Sequence, residues 1–312
     1  MLSIAIAKFG GKTLTNGSHS LIGAKFNNKQ SLSQTISTDL ANTTPAISLV
    51  SLDLPTGRQA FTSQIIPKTL NEISPTKVDN VDTKTEVASK ALYTQPSERI
   101  TGFTVLSNGT FVLVSTVLTK HGNYSKLLFF DRRSSKSKKI SGFKKNNCTI
   151  ESLVATKDDK LIAIVSLNGG IPPFEMVVIN PKNGKVSSGS DLFLPELPPD
   201  RRFSNLALSP DGKIYGTTLG MEGITRLIQL DLDNKSMITG KGKIVTLSPL
   251  MFDNQPLQND LLSLTFSPSG KVYALANPKH EKTNSLFSVD IETGEMIPVS
   301  KIAVDNIAFS RN

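Results

Sequence analysis

Three histidines, His19, His121 and His280, carry the side chains best suited to acid–base or metal chemistry in this chain. Imidazole titrates near neutral pH and is a common ligand of Zn²⁺. Each histidine falls in a polar segment between two apolar, strand-like runs, so all three are expected in loops at one face of the fold. His19 and His280, on neighbouring repeats, are the pair that could hold Zn²⁺ or shuttle protons. The simpler interpretation is three independent, exposed loop histidines.

A second chemical feature is a strongly basic stretch between Lys120 and Lys145. It has nine basic residues against one acid, Asp131, which is a net charge of +8 out of +9 for the whole chain. The basic residues are Lys120, Lys126, Arg132, Arg133, Lys136, Lys138, Lys139, Lys144 and Lys145. Such a surface can attract an acidic protein, an anionic lipid surface or nucleic acid. The alternative is an exposed hairpin whose charges prevent edge-to-edge aggregation.

Four short segments repeat one another and show which elements must position these residues. Each is a polar tight turn between two runs in which apolar residues alternate, as in half-buried strands. Their marker positions Ser107, Thr156, Ser209 and Ser267 lie 49 to 58 residues apart. No segment has the 3.6-residue apolar period of a long helix. A strand-rich unit repeated at this spacing is typical of β-propeller blades, so the sequence predicts an all-β, single-domain propeller over residues 1–312.

The repeat also predicts how the ring closes. The last residues, Asn306-Ile-Ala-Phe-Ser310, resemble Asn205-Leu-Ala-Leu-Ser209, so the chain ends on an inner strand with no hairpin after it. An open sheet edge leaves backbone groups unpaired. We therefore expect N-terminal strands to pair with the C-terminal inner strand, with Leu2–Lys8 as the second strand of that blade and Ser20–Lys29 as the third.

The number of blades depends on residues 47–58. A marker at Leu54 gives six evenly spaced repeats, whereas aligning Ser48–Gly57 with the third strand and outer turn Ser285–Gly294 gives five. The second alignment leaves few residues for two preceding strands. We expect six blades, with five as the alternative.

The segment Asn205-Leu-Ala-Leu-Ser-Pro-Asp-Gly-Lys-Ile-Tyr215 resembles the six-bladed propellers of the gluconolactonase, strictosidine synthase and TolB-like kind. The resemblance marks a blade turn, not an activity. In the gluconolactonase branch it implies an axial divalent metal held by Glu, Asn and Asp five residues before the marker. Glu151 and Asp305 match that pattern, whereas the Asn is replaced by Ser204, with Asn205 beside it. With Asn306 and waters, these oxygens suit Ca²⁺.

The loops that lead into the inner strands predict a binding face, because they converge on the propeller axis. The segments 93–99, 194–202 and 249–260 are long and contain prolines, which lower the entropic cost of holding a contact surface. Met251 and Phe252 are either an exposed anchor pair for a partner or a small satellite core over the blade ends. The candidate partner-binding residues are Arg132, Arg133, Lys136, Lys138, Lys139, Met251 and Phe252.

Composition sets the remaining expectations. The chain has 312 residues, 38% apolar and 20% charged, which is typical of a globular protein, and no apolar run is long enough to span a bilayer. A lone Cys148 and no tryptophan argue against an internal disulfide and a regular WD-repeat protein. We expect an exported monomer whose signal has been removed. Its function is expected to be a non-catalytic scaffold without a cofactor that binds a protein or extended ligand, with nucleic acid disfavoured. A metal-dependent lactonase-type hydrolase is the alternative.

Overall fold

The computed structural model describes residues 20–27, 46–54, 58–65, 97–118, 122–130, 135–138 and 147–310. Within these ranges the regular structure consists of β-strands and one short 3-10 helix, Gly189–Leu192. The all-β prediction is therefore confirmed. No helix among these residues has the length and apolar character needed to cross a membrane.

The strands, numbered β1 to β22 along the chain, form antiparallel four-stranded sheets that we name by their inner strand. The β4 sheet contains β4 (Ser97–Val105), β5 (Phe111–Leu118), β6 (Tyr124–Phe130) and β7 (Ser135–Lys138). The β8 sheet contains β8 (Thr149–Ala155), β9 (Leu161–Asn168), β10 (Ile171–Ile179) and β11 (Val186–Ser188). The β12 sheet contains β12 (Arg202–Leu208), β13 (Ile214–Leu219), β14 (Thr225–Asp231) and β15 (Lys243–Pro249).

Two further four-stranded sheets complete the set. The β18 sheet contains β18 (Ser263–Phe266), β19 (Val272–Ala276), β20 (Asn284–Val289) and β21 (Met296–Ile302). The β22 sheet contains β22 (Asn306–Phe309), β1 (Leu21–Asn27), β2 (Ala46–Leu52) and β3 (Gln59–Ile65). A small hairpin of β16 (Met251–Phe252) and β17 (Gln255–Pro256) lies outside these sheets.

The five inner strands form a closed ring. In the order β4, β8, β12, β18 and β22, each inner strand contacts the next, and β22 contacts β4. Five clusters of buried apolar side chains fill the five interfaces between neighbouring sheets. Because each inner strand contacts the next directly, no sixth inner strand lies between any two of them. The described residues therefore form a five-bladed propeller, as the alternative predicted, rather than a six-bladed one.

The β22 sheet joins the two ends of the chain, as predicted, but with different strands. Leu21 pairs with Phe309 and Ala24 pairs with Asn306, so residues 21–27 are the second strand and not the third. Residues 46–52 are the third strand. The alignment of Ser48–Gly57 with the third strand and outer turn Ser285–Gly294 was therefore correct. In this sheet β22, from the C-terminal end, is the inner strand, β1 is the second strand and β2 is the third. The segment Leu2–Lys8 lies outside the described residues.

The repeated turns fold as their residues require. In the Ser209 turn, the Ser209 amide donates to the Lys213 carbonyl, the Lys213 amide donates to Ser209 Oγ, and Gly212 has a φ of +95°. A positive φ favours glycine because it has no Cβ. In the second repeat Asp159 takes this conformation with a φ of 61°, and its carboxylate accepts hydrogen bonds from Ser107 in the preceding blade.

Buried hydroxyl groups connect neighbouring inner strands. Ser152 Oγ accepts a hydrogen bond from the Leu206 amide at 2.7 Å, and Thr104 Oγ1 accepts one from the Ala155 amide at 3.1 Å. These amides lie on the free edge of their sheets, where no strand can pair with them. The hydroxyls therefore satisfy buried donors that would otherwise cost stability.

Candidate functional site

Four charged side chains meet where the inner strands begin, at one end of the propeller axis. We call Arg99, Glu151, Arg202 and Asp260 the polar mouth. Arg99, Glu151 and Arg202 lie at the starts of β4, β8 and β12, and Asp260 precedes β18. Neighbouring blades thus contribute one charge each, with alternating sign.

Glu151 is the centre of the polar mouth. Its side chain is 0% exposed, and its Oε2 lies 3.0 Å from Arg99 Nη2 and 3.2 Å from Arg202 Nη2. Its Oε1 accepts a hydrogen bond from Thr149 Oγ1 at 2.7 Å. A buried carboxylate is tolerated only with such compensation. The two guanidinium groups, 44% and 36% exposed, cover the carboxylate and face the solvent.

Asp260 extends the network to the next blade. Ser204 Oγ donates to both of its carboxylate oxygens at 3.0 and 3.1 Å. Arg202 Nε lies 3.4 Å from Asp260 Oδ2, and this buried nitrogen has no hydrogen-bond partner within the described part of the chain, so the contact is electrostatic. Burial raises the pKa of Asp260, and the Arg202 charge and the Ser204 hydrogen bond offset part of this effect.

Asn205 supports Asp260 through its side-chain amide nitrogen. Its backbone has a φ of 55°, an uncommon conformation for a non-glycine residue. Its Nδ2 lies 3.0 Å from Thr217 Oγ1, 3.1 Å from the Leu261 carbonyl and 3.3 Å from Asp260 Oδ1. The amide therefore acts as a donor in a packed hydrogen-bond network.

Asp305 and Asn306, the other two predicted metal ligands, are bound within the fold. Asp305 Oδ2 accepts a hydrogen bond from the Phe26 amide at 2.8 Å, and burial raises the pKa of Asp305 despite this bond. Asn306 is buried, and its Oδ1 accepts a hydrogen bond from Ser263 Oγ at 2.7 Å. Asp305 thus joins the start of β22 to β1 within the same sheet, and Asn306 joins β22 to β18 of the neighbouring blade.

The residues present do not fit a resident divalent cation. The negative charge of a carboxylate that already binds two guanidinium groups is neutralised, and the guanidinium groups would repel the cation. Of the residues that the structure describes, no three His, Cys, Asp or Glu side chains form a group able to hold a metal. The four predicted ligands are thus separated into the Glu151–Asn205 network and the Asp305–Asn306 pair.

The other predicted site residues have the following positions. His280 Nε2 lies 3.3 Å from Asn259 Nδ2, beside Asp260, whereas His19 and His121 lie outside the described residues. Met251 and Phe252 are half-buried in the β16–β17 hairpin, and the Phe252 ring packs edge-on against Phe287 at 5.4 Å. This packing corresponds to the small satellite core over the blade ends, the second of the two interpretations of Met251 and Phe252.

The structure describes three basic residues of the basic stretch, Lys126 in β6 and Lys136 and Lys138 in β7, which is the outer strand of the β4 sheet. The backbone of β7 places Lys136 opposite Phe129 and Lys138 opposite Leu127. Arg132, Arg133 and Lys139 lie outside the described residues. Phe129 and Phe130 pack into blade interfaces on opposite faces of β6.

Sequence reasoning missed three members of the polar mouth. Arg99, Arg202 and Asp260 sit in the segments that lead into the inner strands, which were predicted to be proline-stiffened contact loops. A usable signal was present: Arg202 and Asp260 each lie seven residues before their repeat markers, Ser209 and Ser267. Charged residues of opposite sign at one repeat position predict an ion pair between adjacent blades.

No protein-family model and no curated protein matches this chain. Among solved structures, it is similar to a protein provisionally described as a gluconolactonase, with 12% identity, a TM-score of 0.44, and coverage of 85% of this chain and 76% of that one. A calcium-binding regucalcin from Agrobacterium tumefaciens has 15% identity and a TM-score of 0.36, and the match covers 67% of this chain and only 60% of that protein. A gluconolactonase from Xanthomonas campestris has 10% identity and a TM-score of 0.38, covering 67% and 78%. Likenesses this low say nothing about the activity, ligand or metal of this chain.

Proposed function

We propose that this chain is a non-catalytic binding propeller that docks an acidic partner protein. The observation that carries the proposal is the self-pairing of the polar mouth. Glu151 is saturated by Arg99, Arg202 and Thr149, and Asp260 is held by Ser204 and Arg202. A general base or nucleophile needs a group that can reach a substrate. Here the buried carboxylate of Glu151 and the half-buried carboxylate of Asp260 instead fix two arginines whose side chains remain partly open to a partner.

The charge distribution supports an acidic partner. The stretch from Lys120 to Lys145 has a net charge of +8 and includes the outer edge strand β7. Concentrated charge at a rim steers association with a surface of opposite sign. Guanidinium groups held in place by Glu151 lose little entropy on binding carboxylates.

Charge reversal tests the proposal directly. The variant carries Arg132→Glu, Arg133→Glu, Lys136→Glu, Lys138→Glu and Lys139→Glu. The matched control carries five Lys→Glu changes at exposed lysines elsewhere, namely Lys182, Lys185, Lys243, Lys271 and Lys282. In quantitative pull-downs, we expect the partner to be lost by the rim variant and kept by the control.

Two outcomes would contradict this proposal. A partner that both variants retain equally excludes the rim as its docking surface. Salt-sensitive binding of duplex DNA or of phosphatidylserine vesicles, lost in the rim variant when no protein partner is found, would assign the rim to another class of ligand.

The hydrolase alternative remains a prediction from the sequence and has its own test. Ca²⁺, Mg²⁺ or Zn²⁺ bound tightly by the folded protein would raise its melting temperature, and Glu151→Gln would abolish that rise. Glucono-δ-lactone hydrolysis measured with the same metals completes the assay. No thermal shift and no hydrolysis would remove the hydrolase alternative.

A further inference from the structure

The opposite end of the propeller axis, where the inner strands end in the repeated turns, contains a cavity of about 350 Å³. Residues of every inner strand line it, among them Val105, Val154, Leu206, Leu264 and Ala308. Their side chains belong to the apolar clusters between the blades. The inner strands turn their free backbone edges toward the axis, where some amides, such as that of Leu206, already donate to a hydroxyl of the neighbouring blade. The wall therefore combines apolar carbon with the remaining backbone donors and acceptors. The volume is at the small end of the range for ligand pockets, about 300 to 1,000 Å³.

Lys157 is the ionisable side chain in the lining of this cavity. Its Nζ and Cε lie 3.3 Å from where a Cβ on Gly212 would be, so the side chain extends from its own turn over the turn of the next blade. Within the described ranges, no carboxylate lies within ion-pair distance of Lys157. Its positive charge is therefore not neutralised by the fold.

The acidic side chains of the same turns are already engaged. Asp158 pairs with Lys160 at 3.0 Å and Asp211 pairs with Lys213 at 3.3 Å. Asp159 accepts two hydrogen bonds from Ser107. These carboxylates have local partners, so they do not compete strongly for Lys157.

We propose that this axial cavity binds a small organic monocarboxylate, with the carboxylate at Lys157 and the carbon skeleton between the inner strands. A charge-assisted hydrogen bond to Lys157 supplies orientation. The aliphatic residues and backbone edges accept a body that has both apolar carbon and an amide or hydroxyl group. This site lies at the other end of the axis from the polar mouth, so it stands independently of the proposed partner docking.

A pair of probes that differ in charge alone tests this proposal on the full chain. N-acetyl-leucine has a carboxylate, an amide and an aliphatic side chain, and N-acetyl-leucinamide lacks the charge. Calorimetry should show that N-acetyl-leucine binds and that Lys157→Met weakens its binding roughly five- to tenfold. Binding of N-acetyl-leucinamide should be weak and unaffected by this substitution. Lys160→Met is the matched control, because Lys160 sits in the same turn but pairs with Asp158 and does not line the cavity.

Location is tested separately, so the proposal does not depend on how well any variant folds. A diazirine analogue of N-acetyl-leucine, photolysed with the unmodified protein, should label peptides that contain residues 206–210 and 264–268. Excess N-acetyl-leucine should suppress the labelling. The proposal is overturned if N-acetyl-leucine does not bind, if Lys157→Met leaves its affinity unchanged, or if labelling falls on other peptides.

Discussion

Removing the two arginines of the polar mouth should cost more stability than removing the carboxylate they share. Glu151 is fully buried, whereas Arg99 and Arg202 are 44% and 36% exposed. Without the arginines, a buried carboxylate keeps a single hydroxyl donor, Thr149. Without the carboxylate, the arginines can turn their charge toward water. The two perturbations to compare are the double variant Arg99→Met with Arg202→Met and the single variant Glu151→Gln.

The magnitudes follow from this difference in burial. Removing the partners of a buried charge typically costs about 3–5 kcal/mol. Glu151→Gln keeps one acceptor oxygen for the guanidinium groups and places an amide nitrogen that can donate to Thr149 Oγ1. Because both arginines are partly solvated, we expect a loss of only about 1–2 kcal/mol. With a urea m-value of about 3 kcal/mol per M, the unfolding midpoint should fall by about 1–1.7 M in the double variant and by about 0.5 M in Glu151→Gln.

Equilibrium urea unfolding, followed by circular dichroism, measures both values. Equal costs for the two variants would refute the role of Glu151 as a buried charge held by two arginines.

Three further predictions test other parts of the structure. Burial raises the pKa of Asp260 above its value in the unfolded chain. Ionisation of Asp260 therefore removes stability as the pH rises through the raised pKa. Asp260→Asn should lessen the decline in the urea unfolding midpoint between about pH 4 and pH 7. A Cβ on Gly23 would lie 2.5 Å from Val304 Cγ1, so Gly23→Ala should cost about 1–3 kcal/mol, and adding Val304→Ala should recover part of it in a double-mutant cycle. Burial, with smaller contributions from Glu175 and Glu151, raises the pKa of Cys148 to about 12; the thiol should therefore not react with Ellman's reagent at about pH 8 until urea unfolds the chain.

The fold was predictable where the determining contacts are local. The Ser209 turn is specified by a serine that accepts the Lys213 amide and a glycine that adopts positive φ, both within five residues. The pairing of the chain ends followed from an inner strand without a hairpin. Blade number was harder, because residues 46–52 resemble both an inner-turn approach and a third strand. The pairing of β2 with β1, which in turn pairs with β22, and the contact between β22 and β4 decide between the two interpretations.

The candidate site was less predictable because its contacts join residues about fifty positions apart. The sequence pattern selected Glu151 as a metal ligand, whereas in the structure its carboxylate binds two arginines. Arg99 and Arg202 contact Glu151 through long side chains that extend from adjacent blades. The apolar periodicity of the sequence does not indicate how far these side chains extend or which residue they contact. Asn205 was selected for its oxygen, whereas its backbone conformation turns the amide nitrogen toward Asp260.

An odd number of blades explains why the charges around the axis cannot all be paired. From β4 to β18 the signs alternate: Arg99, Glu151, Arg202 and Asp260. The fifth inner strand, β22, follows Asp305, and in a ring of five one neighbouring pair must share a sign; here it is Asp260 and Asp305. Asp305 is correspondingly held by a backbone amide, that of Phe26, and not by an arginine. Burial is the main cause that raises the pKa of both carboxyls, so each binds a proton more readily than an exposed carboxyl does.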